Sequence, residues 1–144
     1  MKVLVQKCSY GAVNIGTDYH EEIRKGYVLF VGFTHGDDLE KIKFLAHKVA
    51  HLRIFEDEEG VMNRSILDEN GCVLSISQFT LYADATKGNR PSYIKAMNSE
   101  DAIQLYDLWN QELSKYVRVK AGVFGADMII EIHNIGPTTI LLEK

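Results

Sequence analysis

A mixed α+β fold, arranged as three β/β/α layers with mixed sheets and the helices on one side, is predicted by three features of this sequence. Gly26 to Phe33 reads GYVLFVGF, an unbroken apolar run of strand length, as expected where both faces of a strand are covered. Two later segments carry apolar residues at helical spacing. Strand-like segments outnumber helical ones, in an order that is neither strict βαβ alternation nor an all-β meander. At 144 residues and 46% hydrophobic, residues 1–144 read as a single domain, long enough to bury a core without disulfides or metals.

Residues 2–8 and 11–15 alternate loosely about Ser9-Tyr10-Gly11 and read as a strand, a turn or bulge, and another strand. The run at 26–33 follows. Asp37 then opens an Asp-x-x-Glu pattern with Glu40, similar to a capping box. Leu39, Ile42, Leu45, Ala46, Val49 and Leu52 share one face beyond it, which predicts an amphipathic helix of about 14 residues. IFEDEEGVMN reads as a turn around Gly60, and CVLSISQFTLYAD as an apolar strand from Cys72 to about Tyr82. A second helix starts near Ser99, a good N-cap, with Ala102, Leu105, Tyr106, Trp109, Leu113 and Tyr116 along one stripe. Strands near 117–121, 128–134 and 138–143 close the chain. The last two are separated by Gly136-Pro137. Proline has no N–H for a ladder and is kept to turns, bulges and edges, so a hairpin corner is the plain reading of that dipeptide.

Composition narrows the function. A formal net charge of −4 argues against nonspecific coating of nucleic acid, which depends on Lys and Arg neutralising phosphates. Local positive charge is still present in ATKGNRPS, at Lys87 and Arg90, with Lys95 just beyond; these are either contacts to one RNA end or solvated loop charges. MKVLVQKCSYGAV lacks the apolar centre of a secretory signal, and no stretch approaches the roughly 20 apolar residues of a membrane span. Cys8 and Cys72 are too few for a disulfide framework, and a reduced, cytoplasmic setting is expected.

Few segments offer chemistry. His47 and His51 are four apart on the first helix, but Lys48 stands where the metalloprotease pattern needs Glu and no third ligand is in view. No Gly-x-Ser-x-Gly elbow or phosphate-binding loop occurs. Cys72 reads as a small core residue. What remains is SQFTLY, where Ser77, Gln78, Phe79 and Thr80 arrive as an apolar strand opens to a polar loop. Backbone N–H groups freed from a ladder there could face a developing oxyanion. Equally, Ser77 and Thr80 could bond neighbouring backbone while Phe79 fills the core.

SQFTLYAD at 77–84, KGNRPS at 87–92, FGADM at 124–128 and NIGPTT at 134–139 resemble, in this order, the D-aminoacyl-tRNA deacylase family, first described as D-tyrosyl-tRNA deacylases. The likeness extends from KVLVQKCS through HGD at 35–37 and LRIFEDEEG at 52–60 to the last strand. Ile135 departs from it, standing before the Gly-Pro where an acidic residue is expected. The resemblance implies a cytoplasmic homodimer that hydrolyses the ester joining a D-amino acid to the 3′ end of tRNA, without metal or cofactor. It implies an oxyanion hole from backbone N–H groups around Gln78, Phe79 and Thr80 beside Ser77. It implies too that Gly136-Pro137 is a cis peptide inserted into the partner subunit's site, where its carbonyls hold the substrate amino group. Selection by collision with main chain would tolerate any D side chain and would not reject glycine. Lys87 and Arg90 are the expected tRNA contacts. A catalytically inactive dimeric RNA-binding module on the same scaffold is the alternative. A small-molecule esterase using Cys72 or Thr80 is a third reading.

Overall fold

The computed structural model describes all residues, 1–144. The strands are β1 (Lys2–Ile15), β2 (Tyr19–Ile23), β3 (Gly26–Gly32), β4 (Phe55–Glu56), β5 (Met62–Arg64), β6 (Cys72–Ser77), β7 (Arg118–Ala121) and β8 (Ile129–Glu143). Two helices, α1 (Leu39–Ala50) and α2 (Ser99–Ser114), complete the fold. Six strands form one sheet, in the order β2-β1-β3-β6-β7 with β8 on β1, and β4 and β5 form a separate small hairpin. The sheet is mixed: β3, β6 and β7 run parallel, whereas β1 is antiparallel to β2, β3 and β8.

The two β layers arise from this one sheet curling on itself. Tyr27, Leu29, Val31 and Val73 face the helices and join the main core, with Ile42, Leu45 and Val49 of α1 and Tyr106, Trp109 and Leu113 of α2. Their neighbours Val28, Leu74 and Ile76 face the other way, into a second core with Cys8, Val13 and Ile23. Ile130 and Ile132 of β8 pack against this second core. The unbroken apolar run at 26–33 is thus explained, because β3 is covered on both faces.

β1 is continuous where two strands were expected. Ser9 is an extra residue in its pairing with β8: Cys8 and Tyr10 lie opposite the consecutive Asn134 and His133. The bulge lets the strand bend, so that Val3 and Val5 reach one core and Cys8 and Val13 the other. β8 is likewise one strand across Gly136-Pro137 rather than two. Helix starts differ from expectation by one residue. Asp38 caps α1, accepting from the Lys41 N–H at 3.0 Å, and Asn98 rather than Ser99 caps α2, accepting from the Asp101 N–H at 3.0 Å. Asp37 instead has a buried carboxylate that accepts from the Thr34 N–H (2.8 Å), the Met1 amino group (2.7 Å) and Lys41 (3.1 Å). His47 and His51 stack at 4.1 Å on the exposed side of α1, edge-on to Tyr116. Tyr116 lies past the end of α2 and is exposed.

Candidate active site

β6 stops at Ser77, five residues before the end that its apolar pattern predicts. Gln78 makes the last ladder bond, its N–H donating to the Val31 carbonyl at 2.8 Å. The chain then turns into a short 3-10 segment, Phe79–Tyr82, in which the Leu81 N–H donates to Gln78 (3.4 Å). Gly32 permits the turn. A Cβ there would lie 2.8 Å from the Gln78 carbonyl oxygen and 3.2 Å from the Leu81 Cβ, so any side chain would push the segment away from β3.

This strand end borders a cavity of about 530 Å³. Val31, Gly32 and Ile76 come from the sheet, Ser99 and Ala102 from the first turn of α2, and Phe124 to Met128 from the segment before β8. Ser77, Gln78 and Phe79 line the same cavity. In a 3-10 turn the leading N–H groups have no partner within the turn, which leaves those of Phe79 and Thr80 as donors. The Gln78 N–H, expected among the oxyanion donors, is taken by Val31. Phe79 does not fill the core: it is 54% exposed and its ring meets Tyr93 edge-on at 5.0 Å.

Thr80 is exposed, and its Oγ1 accepts from the Gln78 side-chain amide at 2.5 Å. A glutamine amide is not a base, so the bond orients the hydroxyl without activating it as a nucleophile. Cys72 is buried, and desolvation raises its thiol pKa, which keeps it neutral and inert. Asp127 is the one ionisable side chain in the cavity lining. It lies in the FGADM stretch, whose run of small residues between strands was the available signal for a wall of the site.

Lys87 and Arg90 lie together on the exposed loop that leaves Tyr82. The loop is closed at its neck by Asp84 and Ser92, whose backbones exchange two 2.8 Å bonds. The Asp84 carboxylate accepts from the Thr86 hydroxyl (2.7 Å) and N–H (3.1 Å) and from Lys95 (3.1 Å). These bonds hold its pKa down to about 2.

Gly136-Pro137 is not a hairpin corner. Gln6 pairs with Thr139 and Cys8 with Asn134, so five steps along β8 match two along β1 and three extra residues are looped out. The peptide is cis, Gly136 has φ +111°, and both residues are exposed. Asn134 pins the base of the bulge, donating to the Lys7 carbonyl (2.8 Å) and the Thr138 carbonyl (3.0 Å). Neither Gly136 nor Pro137 lines the cavity. Two strands, β1 and β3, separate β8 from β6, and the bulge lies about four residues along the sheet from Gln78. β8 itself does reach the cavity, through Ile130 earlier on the same strand.

Comparison with known proteins identifies relatives over the whole length of the chain. The family model described as D-Tyr-tRNA(Tyr) deacylase matches residues 4–143. A D-aminoacyl-tRNA deacylase of Limosilactobacillus reuteri (strain DSM 20016) is 48% identical over 145 residues, covering 100% of both chains. Another, from Listeria monocytogenes serotype 4a (strain HCC23), is 49% identical over 145 residues, covering 100% of this chain and 96% of its own. Among solved structures, the c-Myc DNA unwinding element binding protein superposes with a TM-score of 0.94 at 35% identity, over 100% of this chain and 99% of its own. With a family model spanning nearly its whole length and full-length relatives near half identical, the chain belongs to the D-Tyr-tRNA(Tyr) deacylase family.

Proposed function

We propose that this protein hydrolyses the ester between a D-amino acid and the 3′ end of tRNA, acting as a homodimer in the cytoplasm without a metal or cofactor. The observation that carries the reading is the strand end at Ser77–Thr80. It leaves the N–H groups of Phe79 and Thr80 without a partner inside the turn, and Phe79 borders a cavity that offers no activated side-chain nucleophile. Two such donors suit the oxygen of a tetrahedral intermediate, and one donor is typically worth about 2.7–4 kcal/mol of barrier.

Water is the nucleophile. Its oxygen adds to the ester carbonyl carbon, and the developing oxyanion accepts from Phe79 and Thr80. Collapse of the intermediate breaks the bond to the ribose 3′ oxygen, which takes up a proton derived from the water. The neighbouring ribose 2′ hydroxyl steers the attack. Thr80, held by Gln78, positions the ester, and Ser77 lies beside the donors.

Chirality is selected by the partner subunit. The exposed bulge at Gly136-Pro137 does not line its own cavity, and a two-fold arrangement delivers it to the other one. With the amino group and the ester carbonyl both held by main chain, a D side chain points to open space and an L side chain meets backbone. Glycine, with no side chain to collide, passes the gate. Incubating purified protein with D-tyrosyl-, L-tyrosyl- and glycyl-tRNA tests the whole reading. D-tyrosyl and glycyl esters are hydrolysed and the L-tyrosyl ester is spared. Retention of all three, with tRNA bound, would establish the inactive RNA-binding module instead. Equal loss of the D- and L-tyrosyl esters would remove the gate.

A further inference from the structure

We infer that the loop from Ala83 to Met97 is a docking platform for the single-stranded nucleotides that precede the esterified terminal adenosine. Tyr93 and Ile94 form its stacking surface, and Lys87 and Arg90 its phosphate contacts. This rests on the deacylase reading and adds a specificity element to the same site.

Ile94 is 86% exposed, more than any other large apolar side chain in the molecule. One exposed isoleucine would need no explanation. Here, however, it is continuous with Tyr93, which is 41% exposed and stands edge-on to the 54% exposed Phe79 at the cavity mouth. An apolar path therefore leads out of the cavity onto the loop. The loop backbone is tightly held. Thr34 donates its hydroxyl to the Lys95 carbonyl at 2.5 Å, and the His35 ring bonds the Ile94 carbonyl at 3.1 Å. The Met97 N–H donates to the Phe33 carbonyl at 3.0 Å, and the neck is closed by Asp84 and Ser92. Tyr93 and Ile94 are thus presented to solvent on an anchored backbone, so ordering them on binding costs little conformational entropy.

Charge identifies the occupant. The protein carries a net −4, which repels a polyanion in general. On this loop Lys95 is engaged by Asp84, whereas Lys87 and Arg90 have no carboxylate within ion-pair distance. Two unneutralised cations on the same loop as an exposed tyrosine and isoleucine suit single-stranded nucleic acid, with a base stacked on the Tyr93 ring, its neighbour covering Ile94, and phosphates on the cations. An apolar peptide or a second protein copy would have no use for the cations, and neither would continue into the cavity that holds the ester.

The test compares two esters that differ only in the RNA beyond the terminal nucleoside: D-tyrosyl-tRNA and D-tyrosyl-adenosine. Ile94→Ser lowers the ratio of kcat/KM for the tRNA ester over the adenosine ester at least fivefold, through KM. Lys87→Ala combined with Arg90→Ala flattens the slope of log kcat/KM against log salt for the tRNA ester by about 1.4, at roughly 0.7 per single-strand phosphate. A ratio within twofold of wild type for Ile94→Ser, or an unaltered salt slope, overturns the platform. Anisotropy of a labelled single-stranded RNA ending in CCA reads the platform independently of turnover. If wild-type protein hydrolyses neither ester, the deacylase reading fails, while weaker oligonucleotide binding by Ile94→Ser still supports the platform and unchanged binding overturns it. A shift in oligomeric state on Ile94→Ser would assign the patch to contact between copies and overturn the proposal. All three side chains are exposed, and an unchanged thermal unfolding midpoint verifies that the variants fold.

Discussion

Thr80 is the residue on which the mechanism turns. Its hydroxyl is bonded to Gln78 and to no histidine, lysine or carboxylate, so its role is to position. Thr80→Ala accordingly lowers kcat/KM on D-tyrosyl-tRNA only a few-fold, and a loss of about a thousandfold or more would instead mark it as the nucleophile. Asp84 governs the neighbouring loop. Its folded pKa, about 2, lies below the ordinary carboxylate range, so its bonds contribute at pH values above that range and are lost as pH falls through about 2. The Thr86 amide resonance therefore titrates with a midpoint near 2. At neutral pH, Asp84→Ala exposes the Lys87-Gly88 bond to faster cleavage by trypsin than in wild type. At this scale the sequence was legible in kind but not in position. A capping aspartate before α1 was foreseen, yet Asp37 and Asp38 are adjacent and equally suited, and only the burial of Asp37 against Thr34 and Lys41 decides between them.

The elements that carry the site are held by a buried polar contact. Trp109 of α2 is fully buried and donates its indole N–H to the Ser75 hydroxyl at 3.2 Å, while Tyr106 donates to the Ser75 carbonyl at 2.7 Å. These bonds fix the helix that walls the cavity to the strand that ends at it. Ser75→Ala leaves the indole N–H unsatisfied, and chemical denaturation should show a loss of about 1–3 kcal/mol. A much smaller loss would mean that the hydroxyl is dispensable. Helical stripes were legible because their period outlasts local accidents. The end of β6 was not, because QFTL alternates polar and apolar residues as a strand would, and the turn there relies on Gly32 of the neighbouring strand, which leaves room for it. β2 was also missed. YHEEI is largely polar, and it becomes a strand by pairing with the second half of β1.

For the whole molecule, the decisive arrangement is the separation of bulge from cavity. If each bulge serves the other subunit, two defective proteins can restore each other. Mixing a variant that lacks the Gly136-Pro137 bulge with a variant whose cavity is blocked at Ala102 (Ala102→Trp) recovers deacylation that neither shows alone, once subunits have exchanged. Failure to recover any activity in confirmed mixed dimers would place both elements in one chain's site. The layered architecture was legible because continuous apolar strands demand cover on both sides. That one curled sheet supplies both β layers was not, since the break read at Ser9-Tyr10-Gly11 as a turn or bulge leaves open whether the strand reverses or bends, and only its pairing with β8 decides.

The pairing of β1 with β8 joins the first strand of the polypeptide to the last. During synthesis β1 must therefore wait, one of its edges unsatisfied, until more than a hundred further residues have left the ribosome and β8 emerges. Such long-range closure slows folding and leaves a sticky margin on the nascent protein. Truncated translation products lacking β8 would be the ones most in need of chaperones.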